Sequence, residues 1–144
     1  MTSRIFIVDT NVLVAGLITS EARSPTAAIL DNMLNGKLFY LLSPELLRKY
    51  RKVLLRHRLS RLHGLNEIEI DEILTEITAN AIWREPSSDK IHTPPDPGDV
   101  HLWSLLASEP TAILITGDRL LIESPRPQSS IISPKTWARH FQRK

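Results

Sequence analysis

Short runs of apolar residues alternate along the chain with segments in which apolar residues recur every three or four positions. The short runs at residues 5–8, 38–42 and 112–116 are rich in Ile, Val and Leu, which is typical of strands buried on both faces of a sheet. Residues 81–85 predict a further short strand, and residues 129–132 predict a last edge strand. Because strands that alternate with helices form βαβ units, the pattern predicts an α/β fold with a parallel sheet.

Three Ser-Pro pairs mark helix starts, at Ser24, Ser43 and Ser133. Serine is a good N-cap, and proline is favoured at the first helical position. The pair at Ser43 is predicted to open a long helix that continues until Gly64 breaks it. The apolar stripe of this helix consists of Leu46, Leu47, Tyr50, Val53 and Leu54.

Two further helices and one loop complete the predicted order of elements. Residues 67–80 have an amphipathic helical pattern, and a helix begins at Asp99. Residues 85–98 contain four of the ten prolines and predict a loop.

The apolar run at residues 5–18 is interrupted by Asp9, Thr10 and Asn11. We interpret it as a buried strand that runs into a turn. It is too short for a transmembrane span and lacks a small-residue cleavage site, so no membrane association is expected.

The composition is that of a soluble globular protein. The chain has 144 residues, of which 42% are hydrophobic and 24% charged, and a single domain over residues 1–144 is expected. The absence of cysteine excludes disulfides and cysteine–zinc sites. It is compatible with a reducing cytosol, and we expect a cytoplasmic protein.

The positive charge of the chain is concentrated in one stretch. The net charge is only +2, but residues 48–61 contain seven Lys or Arg and no acidic residue. These residues either form a solvated helix face or meet a polyanion.

Several aspartates lie where functional groups of a parallel sheet collect, just outside the carboxyl ends of its strands. Asp9 follows the first strand, Asp118 follows the strand at 112–116, and Asp96 and Asp99 stand at a helix start. Each alone has a structural explanation as an N-cap or turn residue. Together they would repel one another, and a hard cation such as Mg²⁺ or Mn²⁺ would remove that penalty. A metal-bound water can then attack phosphorus.

Four runs of the sequence resemble one known family. The run IVDTNVLVAGL resembles the opening of PIN domains, in particular a bacterial branch of toxins from toxin–antitoxin pairs. The runs PDPGDVHLWSLLA and AILITGDRLLI resemble the second and third acidic motifs of that branch, and SSIISPKTWARHF resembles its last strand and helix. The resemblance covers nearly the whole chain and is weakest between about residues 55 and 92.

The resemblance implies a three-layer α/β/α sandwich with a central parallel sheet of about five strands. It implies an endoribonuclease that depends on Mg²⁺ or Mn²⁺, with RNA as substrate and an antitoxin protein as partner, and we expect a homodimer. Residues that match the catalytic and metal-site acids of the family are Asp9, Asp99 and Asp118, with Asp96 as a further acid. Residues that match polar groups shaping the site are Thr10, Asn11 and Thr116.

The sequence departs from the family at one important position. The family places a Glu where the run SPELLRKY has Lys49. Glu45 lies one helical turn earlier, about 6 Å away, and would replace that Glu if the helix rotates or shifts. Lys49 either neutralises the aspartates as an internal counter-ion, which weakens catalysis and leaves a binding module, or contacts an RNA phosphate. On the same helix, Arg48, Arg51 and Lys52 are further candidates for RNA contact.

Other chemistry is less well supported. A phosphoacceptor receiver domain also gathers acids at strand ends, but the early Asp9-Thr10-Asn11 and the Gly117-Asp118 turn fit it poorly. None of the five histidines has a paired metal-ligand spacing, and His101 is predicted to be a surface residue. The tryptophans at positions 83, 103 and 137 are predicted to belong to the core.

Overall fold

The computed structural model describes residues 4–142. The strands are β1 (Phe6–Val8), β2 (Leu41–Leu42), β3 (Ile82–Trp83), β4 (Ile113–Ile115) and β5 (Ser130–Ile132). The helices are α1 (Thr10–Ile18), α2 (Pro25–Leu34), α3 (Pro44–Leu54), α4 (His57–His63), α5 (Glu67–Asn80), α6 (Val100–Ser108), α7 (Arg119–Glu123) and α8 (Pro134–His140). A 3₁₀ turn, Pro97–Asp99, precedes α6.

The strands are parallel, as predicted, but the sheet differs from the expected one. β4 pairs with β1 on one side and β5 on the other, and β2 pairs with β3 separately. Within residues 4–142 the two sheets meet at an isolated bridge between Phe6 and Tyr40, where the Phe6 amide donates to the Phe39 carbonyl at 2.9 Å. The α/β/α class is confirmed, whereas the prediction of one sheet of about five strands is wrong, because the ladder divides into three strands and two.

The three Ser-Pro pairs that were predicted to begin helices do so. The side chains of Ser24, Ser43 and Ser133 each accept a hydrogen bond from a backbone amide three residues later, within the first turn of α2, α3 and α8. These bonds satisfy amides that have no partner inside the helix.

The segment after β1 was predicted to be a turn, and this prediction is wrong. Residues Thr10–Ile18 form the helix α1, with Asp9 at its N-cap. α1 packs closely on α2: a Cβ built on Gly16 would lie 2.7 Å from the carbonyl oxygen of Thr26. A glycine is therefore needed where these helices cross.

The prediction of one long helix from Ser43 to Gly64 is also wrong, because the chain leaves the helical conformation near Arg56 and forms two helices, α3 and α4. The backbone there is extended, with φ −60° and ψ 134°, and α4 begins at the next residue. Gly64 ends α4 with φ 69°, in the left-handed region where glycine has no steric penalty.

The core lies between the strands and the two helical layers. Trp103 and Trp137 are fully buried, as predicted, but Trp83 is 43% exposed, which corrects its assignment to the core. Among the described residues no helix is both long and apolar enough to span a membrane.

Candidate functional site

A cavity of about 640 Å³ opens beside the carboxyl ends of β1 and β4. The structure brings most of the sequence-predicted residues to its wall. Predicted residues that line the cavity are Asp9, Thr10, Asn11, Lys49, Asp96, Asp99 and Asp118.

Asp9 is buried and held by both of its carboxylate oxygens. The Thr10 amide donates to Oδ1 at 2.8 Å, and the Thr116 hydroxyl donates to Oδ2 at 2.8 Å. Burial raises the pKa of Asp9, and the negative charge of Asp118 adds to this, while the two hydrogen bonds and the positive charge of Lys49 oppose it. The carboxyl group is therefore fixed in orientation in surroundings that disfavour its charge.

Asn11 connects the ends of the two strands. Its Oδ1 accepts a hydrogen bond from the Gly117 amide at 2.8 Å, and its Nδ2 donates to Thr116 Oγ1 and to Asp9 Oδ2, both at 3.3 Å. The backbone of β1 is held at the same point, since the buried Tyr50 hydroxyl donates to the Val8 carbonyl at 2.5 Å. Asn11 thus holds the turn at Gly117 that follows β4, and its side chain also lines the cavity.

Asp99 is buried, with 7% exposure, and its side chain makes no capping hydrogen bond at the start of α6. The structural explanation of this residue as an N-cap therefore fails. Its Oδ1 accepts a hydrogen bond from Lys49 Nζ at 3.4 Å. Burial, followed by the negative charge of Asp9, raises the pKa of Asp99, and Lys49 opposes the rise.

Asp96 and Asp118 also line the cavity, which we call the acidic cavity, and together with Asp9 and Asp99 they form its acidic wall. Asp96 is exposed and accepts from the Gly98 amide at 2.8 Å, and Asp118 is half-buried and accepts from the Leu120 amide at 2.9 Å. Each of these bonds engages Oδ1. The bonds set the orientation of the two carboxylates at the starts of the 3₁₀ turn and α7.

Glu45 and its neighbours on α3 are placed elsewhere. Glu45 and Arg48 form an ion pair and line a neighbouring cavity of about 560 Å³, so α3 does not turn Glu45 toward the aspartates as expected if it replaced the missing Glu. Arg51 is paired with Asp71 at 2.9 Å and with Glu67 at 2.6 Å. Lys52 is exposed and lines neither cavity.

Six further residues line the acidic cavity and were not predicted to belong to the site: Val14, Ala15, Ile18, Thr19, Val53 and Arg56. The first three lie on α1 and Thr19 follows that helix, whereas Val53 lies on α3 and Arg56 lies at the break between α3 and α4. The spacing from Lys49 to Val53 and Arg56 is that of one helix face, so the sequence could have placed these residues beside Lys49. The sequence contains no such indication for the residues of α1, because the predicted turn has no helix face.

His101 lies close to this region but is not the exposed residue that was predicted. It is half-buried, and neither ring nitrogen has a hydrogen-bond partner within residues 4–142. Burial, followed by the positive charge of Lys49, lowers the pKa of His101 to about 4. The ring is therefore neutral near pH 7.

The donor types in the cavity fit a hard divalent cation. Carboxylate oxygens are its preferred ligands, and the raised pKa values of Asp9 and Asp99 reflect in part the mutual repulsion that such an ion relieves. However, in the part of the chain that the structure describes, no three Asp, Glu, His or Cys side chains stand close enough together to hold a metal ion. The aspartates therefore fit a divalent cation by the chemistry of their oxygen atoms, and their side chains would have to move closer together to bind the ion.

Comparison with known families gave one match that bears on this site. A family model described as "PIN domain" matches residues 5–120. That span runs from the start of β1 into α7 and includes all four aspartates of the cavity. A comparison with curated proteins found no match.

Proposed function

Because the chain belongs to the PIN-domain family, whose members are generally nucleases, we propose that it is a metal-dependent endoribonuclease acting at the acidic cavity. One observation carries this proposal: aspartates from three separate segments of the chain line the same cavity at the ends of parallel strands. Parallel α/β sheets bind their ligands at this edge.

The proposed roles follow from the contacts of each residue. Asp9, Asp99 and Asp118 would hold Mg²⁺ or Mn²⁺, with Asp96 at the rim. When bound, such an ion polarises a phosphate and activates water for attack on phosphorus. Thr116 and the Thr10 amide keep the Asp9 carboxylate oriented.

Replacing Asp9 by Asn tests the site. The amide is nearly the same size but carries no charge, so it binds a hard cation more weakly than a carboxylate does. We expect Mn²⁺-dependent cleavage of an end-labelled single-stranded RNA to be lost, as measured on denaturing gels.

The matched control is Asp31→Asn, because Asp31 is exposed on α2 and forms no ion pair with a described residue. This variant should cleave like the wild type. Cleavage by Asp9→Asn equal to that of the control would overturn the assignment of the active site.

The contact between Lys49 and Asp99 favours a second candidate function. In it, the ammonium group takes the place of a cation, catalysis is weakened, and the domain binds nucleic acid or protein. Titration calorimetry of the wild type with Mn²⁺ separates the two candidates. Binding at or below about millimolar metal, the range of weak protein metal sites, favours the nuclease, and no heat of binding favours the module.

The toxin role, the antitoxin partner, the homodimer and the cytoplasmic location stay predictions from the sequence.

A further inference from the structure

We propose that the half of the cavity remote from the aspartates is a groove for single-stranded RNA next to the scissile phosphate, with Arg56 bound to a phosphate of that strand. This inference rests on the proposed ribonuclease function. It concerns residues that no resemblance or family match assigns to the site.

The groove is formed by one face of α1 and one face of α3, which pack side by side. On α1 the lining residues recur at helical spacing, at Val14, Ala15 and Ile18. On α3 they follow Lys49 with the same periodicity, at Val53 and then Arg56. At about 1.5 Å per residue, Arg56 lies roughly 10 Å along the groove from Lys49. That length matches about three stacked nucleotides at ~3.4 Å each.

Arg56 is the basic residue of this groove that has no acidic partner in residues 4–142. It is exposed and appears in none of the ion pairs among those residues. Lys49, at the other end, already contacts Asp99, and the nearby Arg48 and Arg51 are paired with Glu45, Asp71 and Glu67. Arg56 is thus available for a phosphate, which its planar guanidinium binds through two parallel hydrogen bonds.

The chemistry of the groove selects a nucleic-acid strand as the occupant. The groove is continuous with the acidic wall, so a ligand lying in it reaches the position of the proposed reaction. The four aspartates repel an acidic peptide and an RNA strand alike, so charge alone does not choose between these ligands. We choose RNA because it alone brings the phosphodiester on which a nuclease acts, and because the guanidinium of Arg56 matches the geometry of a phosphate.

The lining also predicts weak sequence preference. Apart from Thr19, the side chains between the two ends are aliphatic, and no described residue of the lining has an aromatic ring on which a base could stack. Stacking platforms and base-edge hydrogen bonds are the usual sources of preference in single-strand recognition. We therefore expect contacts to sugar, phosphate and base faces that tolerate any sequence.

The test measures RNA binding separately from cleavage. A fluorescein-labelled single-stranded RNA of eight nucleotides is titrated with protein in EDTA, and binding is followed by fluorescence anisotropy. Arg56→Ala should raise the Kd about tenfold and make the dependence of log Kd on log salt shallower by about 0.7, the value for one phosphate on a single strand.

Arg61→Ala is the matched control. Arg61 is exposed on α4 and does not line the cavity, so its removal changes the net charge equally. A second pair of variants tests the α1 side of the groove, and both introduce Glu, which is compatible with a helix. Ala15→Glu places a negative charge in the groove and should weaken RNA binding. Ala79→Glu places the same charge on an exposed face of α5 and should leave RNA binding unchanged. Thermal melting of each variant checks that the fold is kept.

The outcomes are distinguishable. If Arg56→Ala and Arg61→Ala lose affinity equally, or if neither loses affinity, the proposed RNA groove is overturned. In that case RNA binding and cleavage by the wild type would still uphold the proposed ribonuclease function. Wild-type protein that neither binds nor cleaves RNA would overturn both. Wild-type protein that binds no RNA but captures a protein ligand through Arg56 would overturn the choice of occupant.

Discussion

Lys49 lies on α3 with its ammonium group 3.4 Å from an Asp99 oxygen, and both side chains line the acidic cavity. The Lys49 side chain is 33% exposed, so solvent screens part of this interaction. Its charge nonetheless opposes the raised pKa values of Asp9 and Asp99. Lys49 therefore offsets part of the negative charge that a metal ion would meet in the cavity.

Replacing Lys49 by Glu should strengthen metal binding. The change removes a cation that competes for Asp99 and adds a carboxylate to the same wall. By analogy with the effect of outer contacts on metal sites, we expect a gain in Mn²⁺ affinity of about tenfold or more, measured by titration calorimetry. Lys52→Glu makes the same change of charge on the same helix outside the cavity, and should leave the affinity within about twofold, because exposed charges at a distance are screened. Equal gains in both variants would mean that the overall charge, and not the contact with Asp99, controls the affinity.

At the scale of elements, the proline-rich segment before α6 positions two of the aspartates. Asp89 anchors this segment: its side chain is 3% exposed and accepts from Arg126 Nε at 2.9 Å. Its other oxygen accepts from the amides of Ile91 and His92. The hydrogen bond from Arg126 lowers the pKa of Asp89. The loop that leads to Asp96 and Asp99 is therefore tied to the segment preceding β5 by a buried ion pair.

Asp89→Asn should lower the melting temperature at pH 7, because it leaves Arg126 without its partner. A lowered pKa in the folded state means that the ionised carboxylate stabilises the fold above the unfolded pKa of about 3.9. This stabilisation is lost as the pH falls through the still lower folded pKa. The difference in melting temperature between wild type and variant should thus shrink as the pH is lowered from about 5 toward 3.

Calorimetric or circular-dichroism melts across this pH range check the prediction. Asp31→Asn is a suitable control, since Asp31 is exposed and unpaired among the described residues, and it should show a small offset that does not change with pH. A constant, pH-independent offset for Asp89→Asn would mean that the ion pair contributes no charge-dependent stability.

At the scale of the whole molecule, acidic and basic residues nearly balance, and among the described residues several cations without acidic partners lie close together in sequence. The formal net charge is only +2, so a general attraction to polyanions is weak. Lys52 on α3, Arg56 at the break, and Arg58 and Arg61 on α4 have no acidic partners in residues 4–142. Of these four residues, Arg56 lines the acidic cavity. Binding of RNA should consequently depend on a small number of local contacts.

This arrangement predicts a shallow dependence of RNA affinity on salt. If two phosphates are neutralised, log Kd should rise with log salt with a slope of about 1.4, so that affinity falls about sevenfold between 50 and 200 mM salt. Anisotropy titrations at several salt concentrations give the slope. A slope near zero would contradict phosphate binding, and one above about 4 would indicate a much larger basic surface than the groove that runs from Lys49 to Arg56.

Local signals in the sequence determined much of the fold. Three Ser-Pro pairs begin α2, α3 and α8, because in each case the cap and the first turn lie within four residues of each other. The buried strands β1 and β4 follow from short apolar runs. The parallel order of these strands, inferred from alternation with helices, was enough to bring Asp9 and Asp118 to one edge.

Tertiary contacts decided the features that no local pattern contains. The apolar segment of α1 is helical where Gly16 meets α2, and an apolar run interrupted only by Asp9, Thr10 and Asn11 does not reveal such a partner. The sequence suggested Arg51 for RNA contact, but in the structure it forms ion pairs with Asp71 and Glu67 of α5. These partners are 20 and 16 residues further along the chain, so no local pattern indicates them. The four aspartates could be counted from the sequence. Only the packing of α3 against the site decided that Lys49 contacts Asp99, because that pair is 50 residues apart and depends on how the helix is rotated.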